Sequence, residues 1–397
     1  MTVLTKHTPL QPRWCLAYDT IDRDDIDRLV RWLQTYPRLT KGALTVEFEE
    51  GWSTWLGSTH SIFCNSGSSA NLLMFYALML SGRLKNKKVV VPSVGWVTSI
   101  APAIQFGFEP LMCEADPDTF GLDLNHLEEI LARDRPGTVL LVQVLGVPHK
   151  MEALLKLKER YGFVLLEDAC AAFGSKLGPR NVGTFGDMAS FSFYFGHQMS
   201  TIEGGMVSTN DKSFADLLLM LRSHGWSRDL DPSTHAGLVE SYEVDDFHTP
   251  FVFYEPGFNL RSTDLNAFIG LGQLQKLDRM AARRHANHCR YLNLLADRFY
   301  VQRMPAESQV SSISFGLLAD DREHRRVIVK ALAERGVETR LFSAGNLGLH
   351  PFWIKRYGKT SFPMADRIHH SGFFLPNHPA LTDDDVARIA QIVREAA

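Results

Sequence analysis

The 397-residue chain is 45% hydrophobic and carries 42 lysine and arginine residues against 45 aspartate and glutamate residues, a formal net charge of −3. That apolar content excludes whole-chain disorder, and the length suffices for a large core with a smaller companion domain. No overall charge draws the chain to nucleic acid or to an anionic membrane, although a local basic pocket stays open.

The five cysteines, Cys15, Cys64, Cys113, Cys170 and Cys289, are far apart. They show neither a zinc-clamp spacing nor a disulfide framework, which points to a reducing cytoplasm. The N-terminus has no basic segment followed by an apolar secretory core, and no apolar stretch approaches a membrane span.

In chain order, a polar, proline-containing lead precedes Asp24–Leu33, whose apolar residues recur at helical spacing, and Leu44–Leu56 offers a second helix. Their aromatic residues read as packing. The main domain then alternates short apolar runs with helical segments. The runs are Lys88–Val91, Thr138–Leu145 and Tyr161–Leu166, which suit central strands covered on both faces. The helices are Ala70–Met79, Leu124–Leu131 and His149–Leu157, followed by an amphipathic region over Asp264–Leu277. Beyond it, helices mix with strand candidates such as Ser311–Phe315. The pattern predicts an α/β fold with a boundary near residue 280.

Several short stretches carry chemistry. Cys64-Asn-Ser-Gly67-Ser68-Ser-Ala70 stands just before an apolar helix, where small residues and helix-start amides suit an oxyanion. A simple Ser/Asn helix cap is the competing reading, and the Gly-Lys-Ser ending of a Walker loop is absent. Asp168 closes an apolar strand, where its carboxylate could keep a ligand's ring nitrogen protonated or be only a polar strand terminus or helix cap, and adjacent Glu167 could be mistaken for the working acid. In Phe191-Ser192-Phe-Tyr-Phe-Gly-His197, the serine offers a hydroxyl and the histidine a movable proton carrier. Trp96 follows another strand and could stack on a ring or simply pack, while Glu203-Gly-Gly suggests a constrained turn.

These stretches together resemble the sugar branch of the fold-type-I pyridoxal-phosphate enzymes, the DegT/DnrJ/EryC1/StrS sugar aminotransferase superfamily. Within it the closest resemblance is to the 3-dehydratases that act on GDP-4-keto-6-deoxymannose on the route to colitose. It covers nearly the whole chain and is sharpest over Phe191–Gly205. The resemblance implies a large mixed-sheet cofactor domain with the N-terminal helices, 1–280, and a smaller C-terminal α+β domain, 281–397. It also implies a cytoplasmic enzyme.

In the sugar aminotransferases a lysine normally occupies the position of His197 and bonds covalently to the cofactor aldehyde. Imidazole cannot, so here the cofactor is expected to be held without a covalent bond. The histidine points to the dehydratase branch. The resemblance implies phosphate binding by Gly67, Ser68 and Ser192, ring stacking by Trp96, a contact of Asp168 with the pyridine nitrogen, and proton transfer by His197. Asn259 is implied to reach the neighbouring phosphate site across a homodimer interface. His224, Arg228 and Arg340 become candidates for nucleotide phosphates or a cosubstrate carboxylate.

The expected reaction takes an amino group from L-glutamate, forms pyridoxamine phosphate, and removes the 3-hydroxyl of GDP-4-keto-6-deoxy-D-mannose. A histidine-bearing branch that works through an iron-sulfur cluster and a reductase expects clustered cysteine ligands, so no iron-sulfur reductase is expected. The alternatives are a nucleotide-sugar aminotransferase such as a perosamine-forming enzyme, and a non-catalytic sugar-nucleotide binding domain.

Overall fold

The computed structural model describes residues 12–397; most of the polar lead, and with it the reading of the N-terminus, lies outside them. Its centre is a seven-stranded sheet of β1 (His60–Cys64), β2 (Lys88–Pro92), β3 (Glu109–Cys113), β4 (Thr138–Val142), β5 (Val164–Asp168), β6 (Met188–Ser192) and β7 (Gly205–Thr209). The spatial order is β1, β7, β6, β5, β4, β2, β3. Pairings among β2 to β6 are parallel, whereas β7 runs antiparallel to both β6 and β1. Parallel neighbours need crossover connections, which helices supply; an antiparallel neighbour needs only a loop. The loop over 193–204 is that connection, and it carries His197.

Valine, leucine and isoleucine fill these strands because both faces are covered. One face packs under the helix Gly67–Leu80 and the helix Lys212–Arg222, the other under Leu124–Asp134 and Met151–Tyr161. A third cluster is aromatic: Phe48 and Trp52 of the helix Ala43–Leu56 meet Phe173, Phe191 and Phe193. The aromatic residues of that helix are therefore core.

A second, antiparallel sheet follows, in the order β8 (Tyr300–Val301), β9 (Ser314–Leu318), β11 (Gly372–Pro376), β10 (Arg340–Leu341). The helices Leu277–Leu295, Arg322–Glu334 and Asp383–Ala396 cover it over a separate apolar cluster. The result is an α/β molecule with a large mixed sheet and a smaller sheet-and-helix region. The expected boundary at residue 280 falls inside the helix Leu277–Leu295, which contributes to both cores.

Several element boundaries differ from the sequence reading, four of them for a visible reason. The strand predicted over Thr138–Leu145 stops at Val142, because the chain turns at Leu145 (φ 54°) and Gly146 (φ 95°). A Cβ on Gly146 would lie 2.8 Å from the Ala171 carbonyl oxygen, so the turn is tight as well as left-handed. Tyr161 ends a helix capped by left-handed Gly162, and the following strand starts at Val164. The region Asp264–Leu277 is two helices, broken at Gln275 and Lys276. Ser311 and Ser312 precede their strand: their carbonyls accept from side chains, so the ladder begins at Ser314.

No helix among the described residues is long and apolar enough to cross a membrane.

Candidate active site

The C-terminal ends of β1, β2, β4, β5 and β6 face one cavity of about 600 Å³, the edge where parallel sheets commonly bind ligands. Ser66, Gly67 and Ser68 follow β1; Trp96 follows β2; Asp168 and Cys170 end β5; and Ser192 and His197 end β6. Arg340, Ser343 and Phe374 close the cavity from the small sheet, and Leu16 and Ala17 from the N-terminal side. None of the lining residues is a lysine.

The candidate cradle after β1 is built by packing. Ser66 caps the helix Gly67–Leu80, its side chain accepting from the Ser69 amide at 3.0 Å. The next amides are thereby left at a helix start, where the backbone partial charge favours an anion. Gly67 stands where a Cβ would lie 2.5 Å from Cβ and 2.9 Å from Oγ of Ser192. The serine hydroxyl and the helix start therefore meet at a position only glycine can occupy. Gly205 acts similarly next door, since its Cβ would lie 2.2 Å from the Ser66 carbonyl oxygen. The constrained Glu203-Gly-Gly turn thus supports the cradle, and Glu203 itself lines the cavity.

Asp168 is buried at the cavity floor and oriented by three donors. Ser99 Oγ and Asn71 Nδ2 donate to Oδ2 at 2.6 and 2.9 Å, and the Cys170 amide to Oδ1 at 3.1 Å. Asn71 is held in turn by Ser190 Oγ, which donates to its Oδ1 at 2.7 Å. Sequence reasoning missed both Asn71 and Ser99. Asn71 had a signal, one helical turn after Gly67; Ser99 had none. The neighbouring Glu167 belongs to the protein interior: it accepts from Gln143 Nε2 and from the amides of Gly183, Phe185 and Gly186. Burial raises its pKa against those hydrogen bonds.

His197 is half-buried, with Nδ1 covered and without a hydrogen-bond partner among the described residues. Burial, helped by the Arg284 cation and opposed by Asp168, lowers its pKa to about 4. The imidazole is therefore neutral at pH 7 and ready to accept a proton. Cys170 is the reverse case, its thiol pushed far up by burial and by the Asp168 charge. Trp96 is 50% exposed and lies on the cavity wall, with the Arg340 guanidinium 5.8 Å from its ring centroid. It is free to cover a flat ligand.

The cavity thus gathers Gly67, Ser68, Trp96, Asp168, Ser192, His197 and Arg340. It does not include Asn259, His224 or Arg228. Those three form a separate cluster: Arg261 contacts Asn259 Oδ1 at 3.1 Å and His224 Nε2 at 3.3 Å, and Trp226 packs against His224 and under Arg228. Arg228 also borders a different cleft, with Lys41, Glu49 and Asp229. All five cysteines are free thiols.

The model of the DegT/DnrJ/EryC1/StrS aminotransferase family matches residues 20–394. The chain belongs to that family. It is 30% identical over 388 residues to the GDP-4-keto-6-deoxy-D-mannose 3-dehydratase of Yersinia pseudotuberculosis, covering 96% of this chain and 98% of that one. It is 28% identical to the GDP-perosamine synthase of Caulobacter vibrioides, over 95% and 96% of the two chains. A solved structure of the E. coli GDP-4-keto-6-deoxy-D-mannose-3-dehydratase with bound hydrated PLP superposes with a TM-score of 0.88 at 27% identity, covering 97% of this chain and all of that one.

The protein is accordingly a pyridoxal-phosphate-dependent enzyme that modifies sugar nucleotides, with the fold-type-I architecture. The residues in hand fit the cofactor: a helix-start cradle tight enough to require glycine, an oriented carboxylate at the cavity floor and a half-exposed indole beside them.

Proposed function

We propose that the protein is a GDP-4-keto-6-deoxy-D-mannose 3-dehydratase that draws on L-glutamate and yields GDP-4-keto-3,6-dideoxy-D-mannose. The observation that carries this reading is a neutral histidine in a cavity whose walls hold no lysine among the described residues. When bound, the cofactor supplies an electron sink and, in its amino form pyridoxamine phosphate, an amine for the 4-keto group of the sugar.

The chain's residues do the rest. The amides at Gly67 and Ser68, with the Ser192 hydroxyl, hold the phosphate. Trp96 covers one face of the ring. Asp168, fixed by Asn71 and Ser99, keeps a proton on the ring nitrogen and so keeps the ring electron-withdrawing. Neutral His197 takes the proton from the cofactor's exocyclic carbon and delivers one as the 3-hydroxyl departs. Arg340 offers a guanidinium to a nucleotide phosphate or to the glutamate carboxylate.

Asn259, with His224 and Arg228, serves the partner's cavity in a homodimer. Their placement outside their own cavity, beside the exposed aromatic residues Phe251, against Arg228, and Phe253, stacked on Trp226, supports that arrangement.

The stoichiometry is testable. The sugar loses one oxygen atom while glutamate becomes 2-oxoglutarate and ammonia is released. Purified protein with pyridoxal phosphate, L-glutamate and GDP-4-keto-6-deoxymannose should give a sugar nucleotide one oxygen lighter and an equal amount of ammonia. A stable 4-amino sugar without ammonia would instead identify a perosamine-forming aminotransferase.

A further inference from the structure

Arg284 is a buried cation without a carboxylate. It lies on the helix Leu277–Leu295, is 1% exposed, and forms no ion pair among the described residues. All its hydrogen bonds go to backbone carbonyls. NH2 donates to the His197 carbonyl at 3.1 Å; NH1 donates to the Asn377 carbonyl and, at 3.3 and 3.5 Å, to those of Ser312 and Ile313. A buried, unpaired charge is costly, and a packed apolar side chain there would be cheaper. One guanidinium thus ties the loop after β6 to the linking helix, to the approach to β9 and to the end of β11. The same loop is pinned a second time, where Gln198 Nε2 donates to the carbonyls of Ala171 and Ser311 at 2.7 Å each.

We infer that Arg284 is a positioning residue for His197: it fixes the backbone from which the imidazole enters the cavity. The charged or titratable groups facing the ring are Arg284 from the linking helix and Asp168 from the end of β5, with Tyr194, Glu203 and Arg340 in the same cavity wall. Of these, Arg284 opposes protonation and Asp168 favours it. Burial alone would also lower the imidazole's proton affinity, but it would not explain an unpaired guanidinium on the His197 carbonyl. The inference rests on His197 being the proton carrier proposed above, and its test has a readout independent of turnover.

The readout is the pH dependence of carbethoxylation of His197 by diethyl pyrocarbonate, which attacks neutral imidazole, followed by peptide mass mapping in the cofactor-free and cofactor-loaded protein. With Arg284 present, the modification rate should be flat between pH 5 and pH 7 once corrected for reagent hydrolysis. In Arg284→Met the rate should begin to fall at a higher pH than in the unsubstituted protein, as a less opposed Asp168 favours the protonated ring while burial still disfavours it.

Arg284→Lys, which keeps the charge and loses donors, should retain the flat profile. It should also lower kcat about 10- to 100-fold with KM for the nucleotide sugar little changed, the signature of a displaced reacting group. The lysine variant keeps the inference testable if the methionine variant does not fold. A profile in Arg284→Met that is unshifted down to pH 4, or an unchanged kcat in Arg284→Lys, would overturn the positioning role. A shifted profile in a protein that makes a 4-amino sugar would retain it and refute only the assigned reaction.

Discussion

Gly67 offers the most direct test of the phosphate cradle, because the structure sets the size of the insult. A methyl group at this position would lie 2.5 Å from Ser192 Cβ, 2.9 Å from Ser192 Oγ and 3.1 Å from Cys170 Sγ. Carbon atoms in contact prefer roughly 3.5–4 Å, so the helix start or the end of β6 must move by about 1 Å. Ser192 is buried at the end of a fully buried strand and gives little. The helix start therefore moves, carrying the Gly67 and Ser68 amides with it.

Overpacking of this kind costs about 1–3 kcal/mol, partly offset by up to about 1 kcal/mol from replacing a helical glycine with alanine. The larger effect falls on the ligand. Losing one well-aligned hydrogen bond to a phosphate costs about 1.5–3 kcal/mol, or about 10- to 100-fold in affinity. Gly67→Ala should therefore bind pyridoxal phosphate that much more weakly, measured by titrating the cofactor-free protein in absorbance. Pyridoxal lacking the phosphate should bind both proteins alike. Gly270→Ala is the control: its Cβ would lie 2.8 Å from Phe48 Cζ, and neither residue lines the cavity, so it should lose stability without losing phosphate affinity. Undiminished affinity of Gly67→Ala for pyridoxal phosphate would show that the phosphate binds elsewhere.

Asp168→Asn should still bind cofactor but turn over about 100-fold or more slowly, and Asp168→Ala should also lose about 1–3 kcal/mol for each donor stranded at Asn71 and Ser99; near-normal rates of oxygen loss in the asparagine variant would remove Asp168 from the mechanism. His197→Lys should gain a borohydride-reducible covalent bond to the cofactor, seen as added mass on the peptide spanning 191–205, while deoxygenation falls about 100-fold or more. Burial holds His149, His197 and His378 at about 4 and His288 at about 3. Because these pKa values lie below the unfolded value near 6.5, the unfolded chain binds more protons below that pH, so stability is full above about pH 6.5 and is lost as pH falls toward 4. Urea unfolding should show a loss exceeding about 1.4 kcal/mol per pH unit between pH 6 and pH 5, reduced in His288→Phe; a pH-independent midpoint would contradict it.

The parts of the site legible in the sequence are those where one short segment supplies both the structure and the chemistry. Ser66 to Ser69 reads as a cap and a cradle because the capping serine and the small residues are adjacent. Asp168 reads as a strand-end group because an apolar run precedes it, and Ser192 as a hydroxyl close in sequence to His197. Periodicity misplaced the end of β4 because Val144 and Leu145 continue the apolar run while the backbone turns at Leu145 and Gly146. Groups that act from a distance left no such trace. Ser99 orients Asp168 from 69 positions away, and Arg284 reaches the His197 carbonyl across 87. A lone serine in an apolar helix and one arginine of four on a long amphipathic one look ordinary until the sheet brings them together. Trp96 illustrates a different limit: its residue type favours burial, and only its place as the first residue before the helix Val97–Gln105, at a strand end, leaves half of it exposed.

The surroundings of position 197 also bear on how one family holds both aminotransferases and dehydratases. Burial and the Arg284 charge disfavour any cation there, and the Asp168 charge only partly offsets them. A lysine in this position would meet the same field and would likewise be driven toward its neutral form, the form that attacks an aldehyde. A histidine driven neutral becomes a base that cannot bond to the cofactor. One electrostatic environment therefore suits either chemistry, and the cradle at Gly67 and the acid at Asp168 need not differ between them. Relatives of both kinds then fall at 30% and 28% identity to this chain, nearly the same distance, because most of what they share is the cofactor site and the fold around it. On the proposed reaction the discriminating information is concentrated in the side chain at position 197, so His197→Lys separates the two activities where overall similarity does not.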